Sequence, residues 1–67
     1  MNSCKFTDFG LCVKTRLLQK GRSQVWLEKE VATRTGLFVD GWYMYKILTG
    51  KRNAPKIVSA IKEILEI

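Results

Sequence analysis

The sequence predicts an all-α fold, a compact domain of four helices. Apolar residues recur at helical spacing in four separate stretches. Each stretch is bracketed by residues that start and stop helices. The one β-prone run, Leu37-Phe38-Val39, is too short for an independent strand and is expected to be a packed loop.

The first helix is expected from about Asp8 to Lys20. Thr7 is placed to cap it, and Asp8 suits the positive end of the first turn. Phe9, Val13 and Leu17 fall at i, i+4 and i+8, with Cys12 filling the same stripe as a small core hydrophobe. Gly10 weakens the first turn, by up to ~1 kcal/mol against Ala. Lys20 then Gly21 makes a stop, a cation in the last turn followed by a residue that tolerates the left-handed conformation. The second helix starts at Ser23, a strong cap, turns Leu27 and Val31 to the core, and ends near Thr35 with Gly36 closing it. Asp40 caps a third, from Gly41 to about Thr49, whose apolar edge is Met44, Ile47 and Leu48. After the polar connector Lys51-Arg52-Asn53, Pro55 stands where its missing N–H is harmless, and Ile57, Ile61, Ile64 and Leu65 repeat to the end.

At 67 residues the chain is expected to be one domain, residues 1–67, with a ragged start over residues 1–6. A domain this small buries only about 60% of the surface its unfolded chain exposes. The hydrophobic share of 46% still supplies a core without metal or cross-links. No stretch approaches the ~20 apolar residues of a membrane span, and no secretory leader is expected before the fold. A cytoplasmic protein is therefore expected, with Cys4 and Cys12 as reduced thiols. Without His, and with only those two thiols, a structural zinc site lacks ligands. The absence of His, of paired carboxylates and of a phosphate-loop glycine pattern argues against an enzyme, and no cofactor or small-molecule substrate is expected.

Charge points to a polyanion. Twelve basic residues stand against six acidic ones, a formal +6. The excess sits in two blocks. Lys5, Lys14, Arg16, Lys20 and Arg22 face only Asp8, and Lys46, Lys51, Arg52 and Lys56 face no acid between residues 41 and 56. One block alone would read as a solvated face; two, with an acid-free third helix, favour phosphate binding.

Ser23-Gln24, Leu27, Val31, Met44, Ile47 and Gly50-Lys51-Arg52-Asn53-Ala54-Pro55 together resemble the helix-turn-helix domains of the Cro and lambda-repressor family. That family is common among phage and prophage regulators of bacteria. The resemblance covers about residues 7–65, with residues 23–49 as the helix-turn-helix unit. It departs in carrying Glu28 where the family usually has Ala, in lacking a Gly near Ala32, in a longer link from Thr33 to Asp40, and in stopping after four helices where the family often has five.

The resemblance implies a sequence-specific regulator of double-stranded DNA, a phage- or prophage-type repressor, with a recognition helix over about 41–49 in the major groove. It places Gly41, Trp42, Tyr45 and Lys46 against base edges. Lys46 would donate to guanine, Trp42 and Tyr45 would meet thymine methyls, and Gly41 would allow close approach. It places Arg22, Gln24, Tyr43, Lys51, Arg52 and Asn53 on the DNA backbone, where contacts position without reading. Each has a plainer alternative. Trp42, Tyr43 and Tyr45 would be core, although helical spacing forbids all three facing one way, and Trp42 can fold back on Phe38. Gln24 would be an ordinary exposed polar residue, and core is favoured for Trp26. A helical protein-interaction module, antitoxin- or adaptor-like, is the competing function, for which the cluster Trp42-Tyr43-Tyr45 would serve as an anchor.

The free protein is expected to be monomeric or weakly dimeric, with any dimer formed through the fourth helix. Ile57, Ile61 and Leu65 are needed for the core, which leaves Ile64 and Ile67 at its margin, far short of the ~800 Å² per partner of a standard interface. A two-fold DNA site can still hold a second copy. Sedimentation over a concentration series checks this; a tight dimer at submicromolar concentration would contradict it.

Overall fold

Thr7, Ser23 and Asp40 each turn a side-chain oxygen onto the free N–H groups that begin a helix, and the chain folds between these caps. The computed structural model describes residues 6–67. Cys4, Lys5 and all but Phe6 of the expected ragged start lie outside the described residues. Helix α1 is Asp8–Lys20, α2 Gln24–Thr35, α3 Gly41–Leu48 and α4 Pro55–Leu65. No strand occurs among the described residues, and no described helix is long and apolar enough to cross a membrane.

Gly10 N–H donates to Thr7 Oγ1 at 3.0 Å, Trp26 N–H to Ser23 Oγ at 3.1 Å and Tyr43 N–H to Asp40 Oδ1 at 2.8 Å. Each cap satisfies a donor that helix geometry leaves orphaned. Gly21 and Gly36 close α1 and α2. Pro55 opens α4, whose cap Ala54 makes no side-chain bond. The far end of α4 is held from α1: Arg16 Nε donates to the Leu65 carbonyl at 2.8 Å, and its Nη2 lies 3.5 Å from Glu66 Oε1.

The core gathers one stripe from each helix. Val13, Leu17, Leu27, Val31, Met44, Leu48, Ile57, Ile61 and Leu65 are all buried. Helix α2 pairs most extensively with α4, while α1 bridges α3 and α4, and α3 also rests on α2. Helices α1 and α3 come close enough for their backbones to touch. A Cβ on Gly10 would stand 2.1 Å from the Leu48 carbonyl oxygen. That same carbonyl receives the Thr7 N–H and the Thr7 hydroxyl, each at 3.1 Å. Gly10 therefore does more than weaken a turn: it lets two backbones meet.

Three expectations are corrected. Cys12 is exposed. It lies about 100° around the helix from Val13, on the side away from Gly10, so it leaves the stripe that Gly10, Val13 and Leu17 define. Ile64 is buried, because one heptad from Ile57 brings it back to within about 20° of that residue, at the centre of the stripe. Ile67, 39% exposed, lies at the margin as expected, the one large hydrophobe that α4 and its C-terminal end leave open. The run Leu37-Phe38-Val39 packs only through Val39, since Leu37 is exposed and Phe38 is 81% exposed.

Gly10→Ala is expected to destabilise the fold by about 2–3 kcal/mol, the upper range for overpacking, because its neighbour is backbone and cannot swing aside. Gly21→Ala, in open space with φ 68°, is expected to lose only about 1 kcal/mol to backbone strain. Urea unfolding of the two variants checks the order, and equal losses would contradict it.

Candidate functional site

Helix α3 turns Met44, Ile47 and Leu48 inward. Trp42, Tyr45 and Lys46, at i, i+3 and i+4, share an outward face. Trp42 is 65% exposed, an unusual position for so large an apolar ring. It stacks on Tyr45 with ring centroids 5.5 Å apart and planes at 14°, rather than folding onto Phe38. Lys46 Nζ sits over Trp42, 5.4 Å from the ring centre. Tyr45 points away from the core as expected, yet it is half-buried between Trp42 and Phe6, whose ring meets it edge-on at 6.4 Å.

From Phe6 the surface continues onto α1 and α2. Lys14 Nζ lies 5.6 Å from the Phe6 ring centre and donates to Gln24 Oε1. Gln24 Nε2 in turn donates to Glu28 Oε2 at 2.9 Å. Glu28 leans towards the start of α3: a Cβ on Gly41 would lie 3.6 Å from the same carboxylate oxygen. A continuous ladder thus runs from Glu28 through Gln24, Lys14, Phe6, Tyr45 and Trp42 to Lys46. It joins three of the four expected base-facing residues to Gln24. Gly41 stands beside it, exposed, with the Glu28 carboxylate next to it. Gln24 has both ends of its amide engaged inside the protein.

The remaining expected residues sit apart from the ladder. Tyr43, about 100° around α3 from Trp42, is half-buried against the core, with the Arg52 guanidinium 5.3 Å from its ring centre. Arg22 is exposed at the α1–α2 corner, its guanidinium 5.1 Å from the ring centre of Trp26, which packs on the core as expected. Lys51, Arg52 and Asn53 are exposed on the connector. Its backbone folds back on α3: the Lys46 carbonyl accepts Lys51 N–H at 2.8 Å and Arg52 N–H at 3.2 Å, which fixes the connector beside the C-terminal end of α3.

The charges divide in two ways. Among the described residues the ion pairs are Arg16–Glu66 at 3.5 Å and Arg34–Glu63 at 3.8 Å, both against the C-terminal part of the chain. Arg22, Lys46 and Arg52 instead rest on aromatic rings, and Lys51 has no carboxylate partner among the described residues. A ring steers a cation by about 0.5–1 kcal/mol at an exposed site but leaves its charge uncompensated.

Sequence reasoning missed Phe6, Lys14 and Glu28 as members of this surface. Phe6 carries no local signal and Lys14 only its share in the first basic block; they join it because α1 docks on α3. Glu28 had one, its presence where the resembled family has Ala. No family model, curated protein or solved structure matches the chain.

Acrylamide quenching of tryptophan fluorescence is expected to fall mainly on Trp42. Trp42→Phe should leave an emission that quenches several-fold less steeply, from the half-buried Trp26. Equal quenching in the two proteins would contradict the outward stack.

Proposed function

We propose that the protein is a sequence-specific transcriptional regulator of double-stranded DNA, of the lambda-repressor-like helix-turn-helix type, with residues 23–49 as that unit and α3 laid in the major groove. The reading includes a phage- or prophage-type repressor. The observation that carries it is the placement of the unpaired cations. Lys46 lies on the outward face of α3, with Lys51 and Arg52 on the connector pinned to its end, none paired with a carboxylate among the described residues. A surface built this way is poised to neutralise phosphates and release their counterions.

Within this reading, Lys46 leaves the Trp42 ring to donate to guanine O6 or N7. Trp42 and Tyr45 offer their stacked faces to thymine methyls. Arg22, Lys51, Arg52 and Asn53 hold the DNA backbone and set the register without reading sequence. Tyr43 contributes less than the resemblance implies, since its ring is committed to the core and to Arg52. The link Gly36–Asp40 is longer than a usual helix-turn-helix turn, and it is Val39, buried, and Asp40, the cap, that aim α3.

A protein-interaction module is the second reading. It draws on an apolar groove of about 360 Å³ lined by Leu37, Tyr43, Ala54, Pro55, Lys56 and Ile57, beside the exposed Phe38.

Titration of labelled duplex at several salt concentrations separates the two. DNA binding is expected to weaken steeply, each neutralised phosphate adding about −0.9 to the log–log slope. A flat response, or no binding at low salt, would sink the DNA reading. Lys46→Ala is expected to lose roughly 1–3 kcal/mol on the preferred site and little on a scrambled duplex. Arg52→Ala is expected to weaken both alike and to flatten the salt slope by about one unit. Equal losses for Lys46→Ala on the two duplexes would refute its reading role.

A further inference from the structure

We propose that Glu28, an acid on α2, is a base-discriminating residue of this interface. Its carboxylate takes the place of the side chain Gly41 lacks and accepts a hydrogen bond from an exocyclic amine, cytosine N4 or adenine N6. The inference rests on the DNA-binding reading and names what that site selects.

The placement comes first. Gln24 and Glu28, four residues apart, lie on one flank of α2, beside Leu27. Gly41 opens α3 and has no side chain with which to meet a base. The Glu28 carboxylate stands beside it, with Oε2 at 3.6 Å from where a Cβ would stand, while Gly41 itself stays exposed. The carboxylate is also held in direction. Lys14 carries only donors, so it orients the Gln24 amide with Oε1 towards itself and Nε2 towards Glu28. Lys14 and Gln24 are thereby positioning residues for Glu28.

The electrostatics come second. An acid on a surface that meets phosphates lowers affinity for every DNA sequence. Glu28 is not neutralised: its hydrogen bond is to a neutral amide, and the ion pairs of the described residues involve Glu63 and Glu66. No hydrogen bond or ion pair reaches Oε1 among the described residues. A half-buried carboxylate with an open oxygen rewards an amine and repels the acceptors O6 and N7 of guanine and O4 of thymine. Affinity is exchanged for discrimination at one position.

Binding-site selection from random duplexes, with the wild type, Glu28→Ala, Glu28→Gln and Lys14→Met, tests this. Titration of the selected duplex and its single-position substitutions follows. The wild type is expected to favour an amine-bearing base at one position of each half-site by about tenfold. Glu28→Ala is expected to erase that preference and to bind the disfavoured duplexes more tightly than the wild type does. Glu28→Gln, nearly isosteric, is expected to narrow the preference to adenine. Lys14→Met is expected to weaken the same preference and leave the other positions alone. If Glu28→Ala and Glu28→Gln keep the wild-type selection, or weaken all duplexes alike, the inference is overturned and the DNA reading stands. If the wild type binds no duplex at low salt, both fall. Should Glu28→Ala melt early, the selection made by Glu28→Gln decides.

Discussion

The backbones of α1 and α3 touch at Gly10, and the carbonyl of Leu48 is shared there by the amide and the hydroxyl of Thr7. A carbonyl at the end of a helix has no partner within its own helix, so this contact satisfies it while closing the gap between two elements. It also carries Phe6 to Tyr45 and Lys14 to Gln24. Without it, the outward face of α3 would be Trp42, Tyr45 and Lys46 alone. With it, that face is continuous with α1 and the start of α2. The burial of Val13 and Leu17 follows from the same docking, since both lie on the Gly10 side of α1.

All four helices were legible in the sequence, and each for a local reason. Thr7, Ser23, Asp40 and Pro55 are start signals whose chemistry acts within three residues, and Gly21 and Gly36 are stops of equal reach. What escaped is tertiary. A glycine in a helix reads as a weak residue unless the backbone it must admit is known. Cys12 was placed by an apolar pattern that did not know where the stripe was centred. Ile64 was assigned to the edge of α4 although the seven-residue return to Ile57 puts it at the centre. For the candidate site, Trp42, Tyr45 and Lys46 followed from helical spacing. Phe6 and Lys14 come from outside that helix and from no motif.

The basic residues are sorted by their partners. Arg16 and Arg34 meet carboxylates and tie α1 and α2 to α4. Lys14, Arg22, Lys46, Arg52 and Lys62 lie over aromatic rings. A ring lowers the freedom of a long side chain without cancelling its charge, so Arg22, Lys46 and Arg52 stay available to an anion while being partly ordered beforehand, whereas Lys14 is also bonded to Gln24. The aromatic residues thus do two jobs: Trp26, Tyr43, Phe6 and Phe9 pack on the core with one part and seat a cation with another.

The contact between Thr7 and Leu48 spans 41 residues of chain. Its order of assembly during synthesis follows from that separation. Chains emerge at about 5–20 residues per second, so α1 waits about two to eight seconds for the carbonyl that it caps. Through that interval Val13 and Leu17 have neither α3 nor α4 to lie against. The nascent chain therefore keeps apolar faces of α1 and α2 open until α3 and then α4 are made, and that interval is when a chaperone would find surface to hold.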